Sequence, residues 1–364
     1  MEKQKILYAT AEEQIEKLKR QGLIIDDPAF AKAELELYGY SNLIKSYRAP
    51  YTIVSDEGKK TYRSGITFEQ VLSLYILDKN LRNAVMASML DLEEHVKEAA
   101  ADIIARKYGT NPDDYLQFRN YVNKKKRKYR FSLPAILDKL KEALDTDKDP
   151  IAHYSQKYGA VPPWILFKSI YFSTIVNFIN LFKPEEQLAL AEKLYDAHDL
   201  DIYGKSLVSL MLNTLFICIE YRNLSAHGGR VYNYIPKATV KLQQPDTLLP
   251  FAEDIYELTE TQGLPLLLNT LSLLSYKEPF KIIDRALREE LNRHLTLYEK
   301  DVDILSETLN LTLYKDQPNC MIIDGKEYPF ISRIQSGLPG VKLIDAPDDL
   351  IKLLSNSPSD NTDN

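Results

Sequence analysis

The chemistry in this chain is concentrated in Tyr221-Arg222-Asn223-Leu224-Ser225-Ala226-His227-Gly228-Gly229-Arg230-Val231-Tyr232-Asn233. A guanidinium, an amide and an imidazole, on Arg222, Asn223 and His227, fall within six consecutive residues. Those groups suit cleavage of an RNA phosphodiester without a metal. The reaction needs a base for the 2′-hydroxyl, an acid for the leaving 5′-oxygen, and positive charge on the phosphate. Imidazole can do either proton job near neutral pH. Arginine is a permanently charged, planar clamp for phosphate oxygens. An asparagine amide can orient either of them. Spacing alone is a weak signal, because about half an Arg-x4–6-His match is expected by chance at this composition. Arg288 and His294 form a second match. They lack the Asn and lie in a charged helical stretch, so they read as surface residues. The competing structural reading of Arg222 and His227 is a helix C-terminal cap, where cations suit the dipole.

Binding of RNA would need a local basic patch, because the net charge is −6. The run Lys124, Lys125, Lys126, Arg127, Lys128 and Arg130 is the candidate, with Tyr121 and Tyr129 interleaved for stacking. Arg230 and Tyr232 join it as candidate RNA contacts beside the motif. His95, His153 and His198 share no metal-ligand spacing with one another or with a Cys. No metal or other cofactor is expected. Trp164 reads as a core anchor rather than a base-stacking surface. Asp78, Arg82, Glu93 and Lys97 read as a structural charge network across facing helices, since buried charges must be paired.

The elements that must hold these residues are helical. Thr10 and Glu13 have the spacing of a capping box, and Ala29–Ser46 reads as a second helix after Asp27-Pro28. The stretch 48–65 reads as a loop or hairpin. Thr67–Lys107 carries the strongest signal, with Phe68, Val71, Leu74, Leu81, Val85, Met89, Leu92 and Val96 at helical steps. Trp164–Phe182 is apolar on all sides and predicts one buried helix. Leu207–Arg222 predicts another, leading directly into the motif. Helical patterns continue over 254–260, 264–275 and 279–300. Beyond Leu311, Thr312-Leu313-Tyr314, Met321-Ile322-Ile323 and Asp324-Gly325 suggest a small β-hairpin.

Composition is that of a soluble globular protein, 45% hydrophobic and 27% charged. Two isolated cysteines, Cys218 and Cys320, support neither a disulfide framework nor a zinc site, which suits a reducing cytosol. The first twenty residues are too polar for a signal peptide. The apolar stretch Leu207–Ile219 is shorter than the about 20 residues that a bilayer requires. A cytoplasmic protein with no membrane partner is expected.

Several motifs occur together and in order. They are Leu18-(x)2-Gln21-Gly22-Leu23-(x)-Ile25, Phe68-(x)5-Leu74-Tyr75-(x)2-Asp78-(x)2-Leu81-Arg82, Glu93-(x)2-Val96-Lys97, Tyr108-Gly109, Pro162-Pro163-Trp164, and Arg222-Asn223-(x)2-Ala226-His227 followed by Arg230-(x)-Tyr232-Asn233. This series resembles the bacterial abortive-infection Abi-like family, of the AbiD and AbiF kind, within the HEPN superfamily. Lys168, Ser173 and Gly228 stand where that family commonly has Glu, Gly and a second His.

The resemblance implies an all-α fold: a HEPN-like helical bundle core with additional helices and a small C-terminal β-hairpin appendage. The segments it suggests are 1–66 as an N-terminal helical part, 67–235 as the catalytic core, 236–310 as a helical extension and 311–364 as appendage and tail. A single interlocked unit is expected rather than separable domains. The implied activity is a metal-independent endoribonuclease toxin, with His227 moving protons, Arg222 stabilising the pentavalent phosphate and Asn223 positioning them. Implied partners are an RNA substrate, a second copy of the chain in a homodimer, and a small non-coding RNA antitoxin. The first alternative is a module of the same fold that holds a structured small RNA without cutting it. The second is a toxin whose motif is the target of nucleotidyl modification.

Overall fold

The computed structural model describes residues 8–56, 58–124, 131–241, 258–311 and 313, and the backbone of 320–323 and 326–329. The fold is all-α with small antiparallel hairpins. The helices up to the motif are α1 (Ala11–Arg20), α2 (Pro28–Tyr38), α3 (Phe68–Tyr108), α4 (Pro112–Tyr115), α5 (Leu133–Glu142), α6 (Ile151–Tyr158), α7 (Pro163–Leu166), α8 (Phe172–Ile179), α9 (Pro184–Leu194), α10 (Ala197–Leu200) and α11 (Gly204–Ala226). Beyond it come helices Gly263–Ser272, Glu278–Leu297 and Val302–Leu309. Strand β1 (Thr52–Val54) pairs with β2 (Lys60–Tyr62), and β3 (Cys320–Ile323) with β4 (Lys326–Pro329). The second pairing matches Ile323 with Lys326, so the expected hairpin is present. Residues 324–325, like Thr312 and Tyr314, lie outside the described residues.

The chain forms two compact units, Met1–Leu81 with Arg285–Asn364, and Arg82–Asp284. Helix α3 and helix Glu278–Leu297 each contribute residues to both units.

In the first unit, the Thr10 and Glu13 side chains cap α1 reciprocally. The helix expected over Ala29–Ser46 is divided. Gly39 takes φ 79°, which ends α2, and a π-helical turn follows over Ser41–Lys45. The core of this unit contains a buried polar chain centred on His294, which is 0% exposed. Its Nε2 lies 2.9 Å from Asp301 Oδ2 and its Nδ1 lies 2.9 Å from Ser73 Oγ. Tyr51 and Gln70 also donate to the Asp301 carboxylate, both at 2.7 Å. Arg293 donates to the Ser73 hydroxyl and carbonyl, each at 2.9 Å, and to Glu290 at 2.8 Å. The surface reading of His294 is therefore corrected. The charged residues around it face one another across the unit's core, and a period count cannot register that. Arg288 is half-buried.

In the second unit, α11 packs against α9, α8 and the helix Gly263–Ser272. It is 23 residues long, well beyond the apolar stretch expected, and among the described residues it is the one helix long and apolar enough to cross a membrane by length and composition. Cys218 is a buried free thiol on this helix, as its apolar setting suggests. The single helix expected over Trp164–Phe182 is not formed. The chain makes α7, a 3-10 turn over Phe167–Ser169, extended backbone at Ile170 and Tyr171, and then α8. Breaking the run lets Phe167, Phe172 and Phe178 all reach the core from short pieces. Phe178 stacks on Tyr121 and Phe182 with centroids 4.6 and 5.1 Å apart.

Candidate active site

The motif lies at the C-terminal end of α11, and the helix end explains its local shape. His227 is the cap residue, and its N–H donates to Asn223 O at 3.1 Å. The next two glycines close the helix. Gly228 N–H reaches Ser225 O at 3.2 Å and Gly229 N–H reaches Leu224 O at 2.8 Å, the bond pair of a Schellman motif. Gly228 sits at φ 69°, in the left-handed region that favours glycine. At Gly229 a Cβ would come within 2.8 Å of Leu224 Cγ, so a side chain there would have to displace that of Leu224.

The turn directs the motif residues differently. Asn223 and His227 are four apart, share a helix face and are exposed. Among the described residues, no hydrogen bond involves either side chain. Arg222 is half-buried on the side facing α3. Its Nε lies 3.7 Å from Glu93 Oε2, an ion pair too long to be a hydrogen bond. Glu93 Oε1 accepts from Lys97 Nζ at 2.7 Å. Glu93 and Lys97 are each 9% exposed, so they and the half-buried Arg222 form a chain of alternating charge. The buried Arg222 Nε and Glu93 Oε2 make no hydrogen bond. The expected charge network thus exists between Glu93 and Lys97 and extends to the motif. The i,i+4 spacing of Glu93 and Lys97 revealed their pairing, whereas nothing local in sequence linked Glu93 to Arg222, 129 positions away.

The segment after the motif is tied back to α11. The Glu220 carboxylate accepts from Tyr234 OH at 2.7 Å and from the backbone N–H groups of Lys237 and Ala238, both at 2.8 Å. Tyr221 stacks edge-on against Tyr234 with centroids 5.3 Å apart. Burial, helped by the neighbouring Glu220 carboxylate, pushes the Tyr234 phenol up to about 12. Arg82 Nη1 on α3 reaches Gly229 O at 3.5 Å.

The candidate RNA contacts are placed unevenly. Arg230 is exposed. Tyr232 is 1% exposed, so its ring is a core anchor for the returning chain and is not available for stacking on a base. Val231 beside it is buried too, so the returning chain is held by two adjacent buried residues between exposed Arg230 and Asn233. Lys124 Nζ donates to Asn180 Oδ1 at 2.8 Å. Lys125, Lys126, Arg127, Lys128 and Arg130 lie outside the described residues.

Beside the Glu93–Lys97 pair is an open cavity of about 620 Å³, lined in part by Asp91, Glu94, His95, Trp164, Lys168 and Tyr276. Trp164 is half-buried on its wall, which corrects its reading as a core anchor. Among the described residues, no group of three His, Cys, Asp or Glu side chains is arranged to hold a metal ion.

A family model described as Abi-like protein matches residues 33–233, more than half of the chain, and the matched span contains α3, α11 and the whole motif. No curated protein and no solved structure matches.

Proposed function

Because this chain belongs to the Abi-like family, we propose that it is a cytoplasmic abortive-infection protein that acts as a metal-independent endoribonuclease of the HEPN, AbiD/AbiF-like kind. The observation that carries the activity is the placement of Arg222, Asn223 and His227 at one glycine-closed helix end, with two of the three exposed. The family match supports the abortive-infection role. In the proposed reaction the 2′-hydroxyl oxygen attacks the adjacent phosphorus and its proton passes to a base. The bond to the 5′-oxygen breaks, and that oxygen takes a proton from an acid. The products are a 2′,3′-cyclic phosphate and a 5′-hydroxyl. His227 serves as the proton-transfer group, Arg222 stabilises charge on the phosphate, and Asn223 positions them.

Two proton transfers are required, and each copy of the motif brings one histidine. A homodimer with two facing motifs supplies one imidazole as base and the other as acid. Restraint by a small non-coding RNA fits the same exposed surface.

The test is expression of the wild type beside His227→Ala and Arg222→Lys. The wild type should arrest growth and generate RNA fragments with 5′-hydroxyl ends, in lysate and in EDTA alike. Both variants should be inert at equal expression, since lysine lacks arginine's planar fork. A His227→Ala protein that still arrests growth would overturn the assignment. Copurified RNA that stays intact would point instead to a module that binds RNA without cutting it.

A further inference from the structure

The guanidinium of Arg222 is divided between two environments. Its Nε is buried and makes no hydrogen bond, although the side chain as a whole is 25% exposed. Among the described residues, Nη1 and Nη2 are neither buried nor hydrogen-bonded. The accessible edge of the group is therefore the one that suits two phosphate oxygens. The buried edge faces α3. Glu93 Oε2, also buried and without a hydrogen bond, stands 3.7 Å from Nε. Buried polar atoms without partners are uncommon, and these two face each other with opposite charge. The other oxygen of Glu93 is fixed by Lys97 Nζ at 2.7 Å. Met89, Leu92 and Val96, each at most 1% exposed, seat this part of α3 in the core. Glu93, Lys97 and Arg222 all belong to the second unit.

The balance of signs matters. A carboxylate paired with Arg222 alone would cancel the charge that a phosphate must meet. Lys97 offsets Glu93, so the three residues together keep a net charge of +1, with the accessible part of it on Arg222. At 3.7 Å the contact between Arg222 and Glu93 is Coulombic and not a hydrogen bond. Its low exposure limits screening by salt.

We propose that Glu93 is the positioning residue of the cleavage site: clamped by Lys97, it holds Nε of Arg222 and so aims Nη1 and Nη2 at the scissile phosphate. That role rests on the nuclease reading above, and it gives neither Glu93 nor Lys97 a contact with RNA. An arginine side chain that nothing holds spreads over many rotamers. A phosphate clamp aids the transition state when it is already in place, and a displacement of about 1 Å can cost about a hundredfold in rate. Holding the charge is thus a separate task from supplying it.

Two variants of the full-length protein separate these tasks, with a ribo-oligonucleotide as substrate. Glu93→Met/Lys97→Met removes one charge of each sign, keeps the net charge of the three residues at +1, and replaces the pair by apolar chains of similar volume. Such replacements leave no buried charge unpaired, so the melting temperature should be kept. The rate at saturating RNA should fall at least about tenfold, with RNA affinity changed by less than about twofold. Glu93→Gln keeps the size of the side chain and raises the net charge. Charge alone predicts tighter RNA binding without loss of rate, whereas positioning predicts about the same tenfold loss per folded molecule. The Nε–H of Arg222, identified in arginine-labelled protein by its loss in Arg222→Lys, should exchange with water at least about tenfold faster in the double variant than in the wild type. A folded double variant that cleaves at the wild-type rate would overturn the proposal, as would an unchanged Nε–H exchange rate. A wild type that does not cleave RNA removes the nuclease reading, and the Nε–H exchange then still decides whether Glu93 holds Arg222.

Discussion

At the residue scale, two histidines with the same sequence pattern have opposite surroundings. His227 is exposed at a helix end, and His294 is enclosed between Ser73 and Asp301. Removing His294 would leave a carboxylate and a hydroxyl short of a partner in the interior, in addition to a cavity. His294→Ala should therefore destabilise the protein by about 3 kcal/mol, whereas His227→Ala should shift stability by no more than about 0.5 kcal/mol. Urea unfolding of the two variants reads this directly, and a silent His294→Ala would contradict the buried network. Asp301 adds a pH dependence. Burial pushes its carboxyl up, but hydrogen bonds from His294, Gln70 and Tyr51 outweigh this and hold it below the usual carboxylate range. Its contribution to stability is therefore present above the unfolded carboxylate value, about 4, and is lost as pH falls through the lower folded value. Asp301→Asn should be less stable than the wild type at pH 6, and the gap should narrow below about pH 4. A gap that is constant with pH would refute the linkage.

At the scale of elements, the site depends on how α11 ends. Left-handed backbone costs a residue with a Cβ about 1 kcal/mol, so Gly228→Ala should lower stability by that amount. Gly229→Ala should cost more, because the new methyl overlaps the Leu224 side chain, which must move. Each change displaces His227 relative to Arg222, so RNA cleavage should fall further than stability does. Thermal melts alongside cleavage rates would show the difference. Equal losses in both would mean that the turn serves folding alone. The Glu220 anchor acts on the same element from the other side, since it fixes residues 234–238 against α11 and so sets the path of Arg230.

At the scale of the whole molecule, the net charge of −6 opposes RNA, and the basic run from Lys124 to Arg130 must act locally if it acts at all. Phosphate contacts release counterions, so affinity for RNA should fall with salt by roughly one unit of log–log slope per contact. Replacing Lys124, Lys125, Lys126 and Arg127 by Gln should flatten that slope and weaken binding across RNA sequences, with little effect on cleavage at saturating RNA. An unchanged slope would transfer the binding surface to Arg222 and Arg230. The pairing of two copies proposed for the two proton transfers should appear as a dimer in sedimentation.

The sequence determined the helical class, because the three- and four-residue steps of Phe68 through Val96 admit only a long helix, and α3 spans Phe68–Tyr108. It also determined the local signals that need no partner: the Thr10 and Glu13 cap, the pairing of Glu93 with Lys97, and a glycine stop just after His227. Burial was a different matter. The ion pair between Arg222 and Glu93, the enclosure of His294, the loss of Tyr232 to the core and the half-open position of Trp164 each depend on a neighbour far away in the chain. The break between α7 and α8 belongs with them, because an all-apolar run looks the same whether one helix or several short pieces bury it. Periodicity records which side of an element is apolar. What that side meets depends on packing among distant segments, and only the tertiary structure holds that information.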